Sequence, residues 1–234
     1  MDAIGPIISR MREPISRDAR LALDLALTIR HDGNGGVTDD LAGPAGLTEW
    51  VRAHLELLPC TATKRADDQR EGSATGTAPQ SAEGAIGGST ADAAQLTAVR
   101  ELRAAVRALF ARAVRPGEPS PADAARLMPL PEAVRHLNEA AARTPTVPVL
   151  DWPEGATPVV HRTPTGAVDD LTAALAHAVI AFLASPDRDR LRACHAPRCV
   201  RYFLKEHPRQ EWCKPSCGNR ARVARHHQRH KATA

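Results

Sequence analysis

Apolar positions along the chain recur mostly at helical spacing. Over residues 16–31 (S-R-D-A-R-L-A-L-D-L-A-L-T-I-R-H), Leu21, Leu25 and Ile29 repeat at i+4, and Leu23 and Leu27 widen the stripe. The spacing predicts a largely buried helix, capped by Ser16 or Asp18 and ended by Gly33. A second, short helix is expected over 48–58, with Thr48 as N-cap and Pro59 as its stop. Residues 93–114 carry the clearest pattern. Leu96, Val99, Leu102, Val106, Leu109, Phe110 and Ala113 mark one face, and Arg100, Glu101, Arg103 and Arg107 lie off it as a solvated face. Ser120-Pro121 and Pro129-Leu-Pro131 place prolines where helices open, the second helix carrying Val134, Leu137, Asn138 and Ala141. Segments 146–152 and 158–163, joined through E-G-A-T, read as a β-hairpin that Pro148, Pro153 and Pro158 confine to an edge. A helix over 167–184 follows, with Asp169 and Asp170 in its positive first turn and Leu171, Leu175, Val179 and Phe182 inward. Ser185-Pro186-Asp187 then caps a short turn.

Aromatic residues make up only 3% of the 234 residues, so the core must be built from Leu, Val, Ile and Ala, which favours helices over a sandwich or barrel. Residues 61–92 are rich in Gly, Ser, Thr, Ala and charge and cannot bury enough apolar surface to offset ordering; they read as a flexible insertion. Cys60, at its edge, reads as a lone thiol. The longest uncharged apolar run, 171–184, is too short to span a bilayer, and Arg10, Arg12, Arg17 and Arg20 interrupt the opening stretch. The expectation is a soluble, cytoplasmic protein with no membrane partner. No G-x-S-x-G, P-loop or H-E-x-x-H string occurs, and His31, His54, His136, His161 and His177 are scattered singly, so a non-enzyme is expected.

The chemistry concentrates at the C-terminal end. Cys194 and Cys199 form one close pair and Cys213 and Cys217 another. Free or disulfide-bonded cysteines are the alternative, but nothing marks a secreted chain. Two short turns that each present two sulfurs suit four thiolates at about 2.3 Å around a tetrahedral Zn²⁺. All four positions are filled by protein, so the expected ion is single and structural, with no open position for a reacting water. Tyr202 or Phe203, with Trp212, are expected as a mini-core, and the segment from Cys217 onward as a helix. The expected fold is mainly α: a helical body with a small β-hairpin over 1–189, and a treble-clef-like or zinc-ribbon-like four-cysteine zinc module over 190–234.

Trp212-Cys213-Lys-Pro-Ser-Cys217-Gly218-Asn219-Arg220 resembles the CGNR zinc-finger family of bacterial proteins, named for the four residues that stand here as Cys217 to Arg220. The resemblance implies a small zinc-bound module that binds DNA. Where family members often have a D-x-S-like loop, this chain reads Phe203-Leu-Lys-Glu-His-Pro208. L-A-L-D-L-A-L-T, followed by D-L-A-G-P-A-G-L-T-E-W-V, resembles the N-terminal ABATE domain, whose description denotes a stress-induced transcription regulator and which commonly accompanies that finger. Family members often carry Asn where Leu27 stands here.

Charge sharpens the expectation. Residues 190–234 hold 12 Lys and Arg against 2 Asp and Glu, a balance of +10, and the rest of the chain carries −6. A field this concentrated attracts polyanions. At about 100° per residue, Arg222, Arg225, His226 and Arg229 share one helix face, assigned to phosphates or guanine edges. Arg220, Val223, His227 and His230 share another, expected to pack on the finger. Gly218 allows close backbone approach and an amide bond to a sulfur, and Asn219 and Arg220 either brace the metal site or touch nucleic acid. DNA is the expected partner. RNA suits the same helix, and a protein-interaction module is a third reading. One small finger buries little DNA, so sequence-specific binding calls for a homodimer or for help from the body.

Overall fold

The structure, a computed structural model, describes residues 14–32, 36–58, 90–123, 127–166 and 170–232. Helix α1 (Arg17–Ala26) begins where the Ser16 side chain accepts the Ala19 amide at 3.2 Å, and it buries Leu21, Ala22 and Leu25. It stops five residues short of the expected end. Thr28 Oγ1 donates to the Leu25 carbonyl at 2.8 Å, and the β-branched pair Thr28-Ile29 leaves the helix. The chain then forms strand β1 (Ile29–His31), antiparallel to β2 (Val37–Asp39), with Ile29 opposite Asp39. Helix α2 (Pro44–Ala53) starts four residues before the expected cap, because Pro44 takes the first position, where its missing N–H costs nothing. Thr48 sits inside the helix instead: its hydroxyl donates to Pro44 O at 3.0 Å and accepts from the Ala91 amide at 3.0 Å. Gly46 is required there, since a Cβ would lie 2.2 Å from Asp40 O. A 3-10 turn (Leu55–Leu57) follows.

Helix α3 (Ala93–Ala113), capped by Asp92, buries Leu96, Val99, Leu102, Val106, Leu109 and Phe110 as the spacing predicts. Two residues expected on its solvated face are buried: Arg103 is 6% exposed and Arg107 3%. Their charge is offset locally. Arg103 donates to Asp39 through two nitrogens at 2.5 and 2.7 Å and to Thr28 Oγ1 at 2.9 Å. Burial alone would push the Asp39 carboxyl up, but these N–H groups outweigh it and hold Asp39 below the usual carboxylate range. Arg107 grips Asp123 with a two-pronged fork at 2.8 and 3.0 Å and donates to Ala26 O at 2.7 Å.

A 3-10 turn (Pro121–Asp123) leads toward helix α4 (Leu130–Ala142), which buries Ala133, Leu137 and Ala141 and leaves Val134 exposed. Strands β3 (Thr146–Asp151) and β4 (Val159–Pro164) form the expected hairpin, with Val149 opposite His161. It is exposed along its length and presents Val147, Val149, Leu150, Trp152 and Val160 to solvent. Helix α5 (Leu171–Ala184) has Asp170 as its N-cap rather than in its first turn, and Arg143 at the end of α4 reaches that carboxylate at 2.7 Å. Helix α5 packs on α1, α3 and α4. A 3-10 turn (Pro186–Arg190), capped by Ser185, delivers the chain to its C-terminal part. Phe110 meets Phe182 and Tyr202 edge-on, both at 5.5 Å between ring centres, at the middle of the core. Cys60, Pro59, Asp169 and residues 61–89 of the expected insertion lie outside the described residues.

The Arg107–Asp123 pair yields one prediction. Removing one partner of a buried pair strands the other charge, at a cost of about 3–5 kcal/mol. Asp123→Ala should therefore lower unfolding free energy by that amount in urea denaturation, while the isosteric double variant Arg107→Met/Asp123→Leu loses less than the single one. A single-variant loss below about 1 kcal/mol would contradict the network's role.

His54 yields a second. Its ring stacks on Trp50 at 4.3 Å, Nδ1 lies 2.7 Å from Trp50 O, and Nε2 lies 3.4 Å from an Asp24 carboxylate oxygen. The Asp24 contact raises the His54 pKa above 6.5 against the opposing effect of burial, and the Trp50 carbonyl adds to the rise. The folded state thus favours the protonated ring. That stabilisation is complete below the unfolded value and is lost as pH rises through the folded one. The melting-temperature gap between wild type and His54→Gln should be larger at about pH 5.5 than at about pH 8.5.

Candidate metal centre

Strand β5 (Leu191–Ala193) pairs antiparallel with β6 (Tyr202–Leu204), Leu191 opposite Leu204. The ladder continues one step, from Cys194 N–H to Arg201 O at 2.9 Å, and the tip of the hairpin carries the first cysteine pair. A tight turn, closed by Cys199 N–H to Ala196 O at 2.9 Å, brings the two sulfurs to one side. Pro197 sets its first central residue, and Arg198 takes the left-handed conformation, φ 63°, that such a turn demands and that glycine ordinarily fills. The second pair sits at the mouth of helix α6 (Pro215–Ala232). Cys217 lies in its first turn, its amide donating to the Lys214 carbonyl at 3.0 Å.

All four sulfurs lie within 4.8 Å of one another; Cys199–Cys213 and Cys213–Cys217 are 3.7 and 3.5 Å apart. A tetrahedron with metal–sulfur bonds of about 2.3 Å has edges of about 3.8 Å, so the cluster fits Zn²⁺. Cys194, Cys199 and Cys217 are buried and Cys213 partly so. By themselves the sulfurs would share protons. Thiols of Cys199 and Cys213 donating to Cys194 hold its pKa far down, at about 2, while donation to Cys194 pushes Cys199 up to about 11 and Cys213 up as well. A dication removes that conflict by accepting all four as thiolates. The centre is closed and structural: it offers no position for a reacting water.

Phe203 and Trp212 pack around the cysteines, the mini-core expected of them. Tyr202 does not join it. Its side chain points into the body, where the hydroxyl donates to Asp123 at 2.7 Å. Burial, and then the Asp123 carboxylate, push the phenol well above its ordinary pKa, so it stays a donor. Ser120 Oγ donates to Val200 O at 2.8 Å and Arg107 reaches the same carbonyl at 3.4 Å, tying the strand's entry to the body. A Cβ at Gly218 would lie 3.1 Å from Trp212 Cδ1, a tight approach that the indole would have to yield to; its amide bonds to Lys214 O at 3.4 Å rather than to a sulfur. Arg220 donates to Cys217 Sγ at 3.1 Å and to Pro197 O at 3.1 Å, linking one cysteine turn to the other. Asn219 Oδ1 accepts from Arg222. The turn expected between Cys194 and Cys199 is present, and its left-handed residue, Arg198, is the detail that the sequence did not reveal.

Helix α6 faces the finger through Cys217 and Ala221, four residues apart. Val223, expected inward, is 56% exposed, because the helical phase is set by Cys217 and the inward place falls on Ala221. Arg222, Arg225, His226 and Arg229 lie outside that seam with no buried member among them, and His227 and His230 are exposed as well. Among the described residues no helix is long and apolar enough to cross a membrane.

Fold and centre together define a helical protein ending in a four-cysteine zinc finger. Comparison with family models gives the particular family. Residues 19–186 match ABATE, described as "Putative stress-induced transcription regulator", and residues 190–230 match the CGNR zinc finger. The first match spans more than half the chain, and the protein belongs to the ABATE family, with a CGNR zinc finger at its C-terminal end and one structural zinc site there. No curated protein matches the chain.

The bond from Arg220 to a ligating sulfur predicts its effect on metal retention. Partners of metal ligands are worth roughly 10–100-fold in affinity. Arg220→Met should lose zinc to a chelator by about that factor more readily than wild type, and Arg220→Lys less so. Equal zinc affinity in all three proteins would remove Arg220 from the centre.

Proposed function

We propose that the chain is a cytoplasmic, non-enzymatic transcription regulator that binds DNA through helix α6. Cys194, Cys199, Cys213 and Cys217 hold one Zn²⁺, residues 190–234 act as the binding module and residues 1–189 as the regulatory body. The observation that carries this reading is the outward face of Arg222, Arg225, His226 and Arg229 on a helix that contains no Asp or Glu. An α-helix with its side chains, about 10–12 Å across, matches a major groove about 12 Å wide. The −6 balance of the body against the module's +10, about +8 once four thiolates and Zn²⁺ add −2, would turn the body away from a polyanion and orient the helix toward it. Arg220 anchors the base of the helix to Cys217 Sγ and Pro197 O, and the outward arginines Arg222, Arg225 and Arg229 are the ones assigned to phosphates or guanine edges. A single small finger buries too little DNA for sequence-specific binding, so two copies acting together belong to the proposal.

The test is titration of the zinc-loaded protein with random duplex DNA and structured RNA at two salt concentrations, with Arg222→Ala/Arg225→Ala/Arg229→Ala alongside. Wild type should bind duplex in a salt-sensitive way. For every phosphate that the triple variant no longer neutralises, the log–log salt slope should flatten by about 0.9. Unchanged binding by the variant would sink the face assignment. Preference for RNA would move the reading to an RNA-associated protein, and binding to neither would point to a protein partner. A monomer that binds one site specifically at nanomolar concentration would contradict the two-copy element.

A further inference from the structure

His226 and His230 stand one turn apart on α6, and nothing in the zinc centre or in the nucleic-acid reading uses them as a pair. Their Nε2 atoms lie 3.1 Å apart, and the ring centres 4.3 Å apart at a 54° tilt. We propose that they form a second metal site, taking an exchangeable first-row divalent cation through two adjacent imidazole nitrogens, with water filling its remaining positions. The chemical class is Ni²⁺, Cu²⁺ or Zn²⁺, the ions that imidazole suits; carboxylate and carbonyl oxygen, which Mg²⁺ and Ca²⁺ require, are missing from the pair. The proposal does not rest on DNA binding.

The spacing is the main argument. An ion bound at about 2.0–2.1 Å by two neighbouring nitrogens holds them about 2.9–3.3 Å apart, between the octahedral and tetrahedral limits. The helix supplies this without further folding, because residues at i and i+4 stack on one face. The same contact read as one imidazole N–H donating to the other is worth little between two exposed rings, where water competes for both.

Charge works in both directions. Arg225, Arg229 and Lys231 are near in sequence and disfavour a dication. Their charges are screened over about 8 Å at physiological salt, and the last helical turn presents carbonyls whose partial negative charge favours a cation. His227 does not complete the site. It meets His226 edge-on at 6.1 Å and lies about 100° round the helix. The pair sits about 13–20 Å along the helix from Cys217, too far to share its ion.

Ni²⁺ is the probe, titrated by calorimetry into the zinc-loaded full chain while released zinc is measured. The expected result is uptake of one Ni²⁺ with zinc retained. His226→Ala and His230→Ala should each weaken it about tenfold or more, and His227→Ala should leave it unchanged, all three keeping the circular dichroism of wild type. No Ni²⁺ uptake by wild type would overturn the site. So would uptake matched by zinc release, equal affinity in the two single variants and wild type, or an equal loss in His227→Ala.

Discussion

The buried guanidinium of Arg107 is the interaction on which most of the architecture depends. An ion with 3% of its surface exposed survives only if its N–H groups are met and its charge is countered. Its partners come from three places: Ala26 at the end of α1, Ser120 and Asp123 in the turn after α3, and Val200 at the entry to β6. The guanidinium also lies 5.3 Å from the centre of the Tyr202 ring. Segments distant in sequence are therefore fixed by one residue's geometry. Arg103 does the same one turn earlier, holding Thr28 and Asp39 so that the chain after α1 becomes a hairpin rather than more helix. In a core dominated by Ala, Leu and Val, which many packings would satisfy, these directional contacts select one.

Scarce aromatic residues are placed where shape matters most. Phe110, Phe182 and Tyr202 interlock at the centre of the body, and Phe203 and Trp212 flank the cysteines. Tyr202 and Phe203 are consecutive on one short strand and so point to opposite faces. One faces the body and the other the metal, and that alternation welds the finger to the domain. Leu191 and Leu204 belong to the body's core for the same reason.

Much of this was legible in the sequence, and what was not has a physical cause. Helices α3, α4 and α5 followed from apolar spacing, and the zinc site followed from two cysteine pairs and the string after them. Helix ends were less secure. Thr48 looked like a cap, but Pro44 opens α2, and the Leu27-Thr28-Ile29 stretch kept helical spacing while leaving the helix. The buried arginines were invisible because their partners are remote: Asp39 lies 64 positions from Arg103, and Val200 lies 93 from Arg107. No periodicity within α3 distinguishes an arginine that finds a carboxylate from one that finds water. Val223 was misjudged because apolar character was weighed above helical phase, which Cys217 dictates.

Helix α6 is held at its base and exposed beyond it. Its 18 residues make a rod of about 27 Å, and its first two turns are gripped by Cys217, Ala221 and the Arg220 bridge. Such a rod is a lever whose fulcrum is the metal. A tilt of about 10° at the sulfurs would carry the tip through about 4 Å, close to the ~3.4 Å rise of one base pair. The hairpin that bears two of those sulfurs is pinned to Ser120 and Arg107 in the body. A small repacking of the body at that carbonyl would thus be read out, magnified, at the far end of the helix.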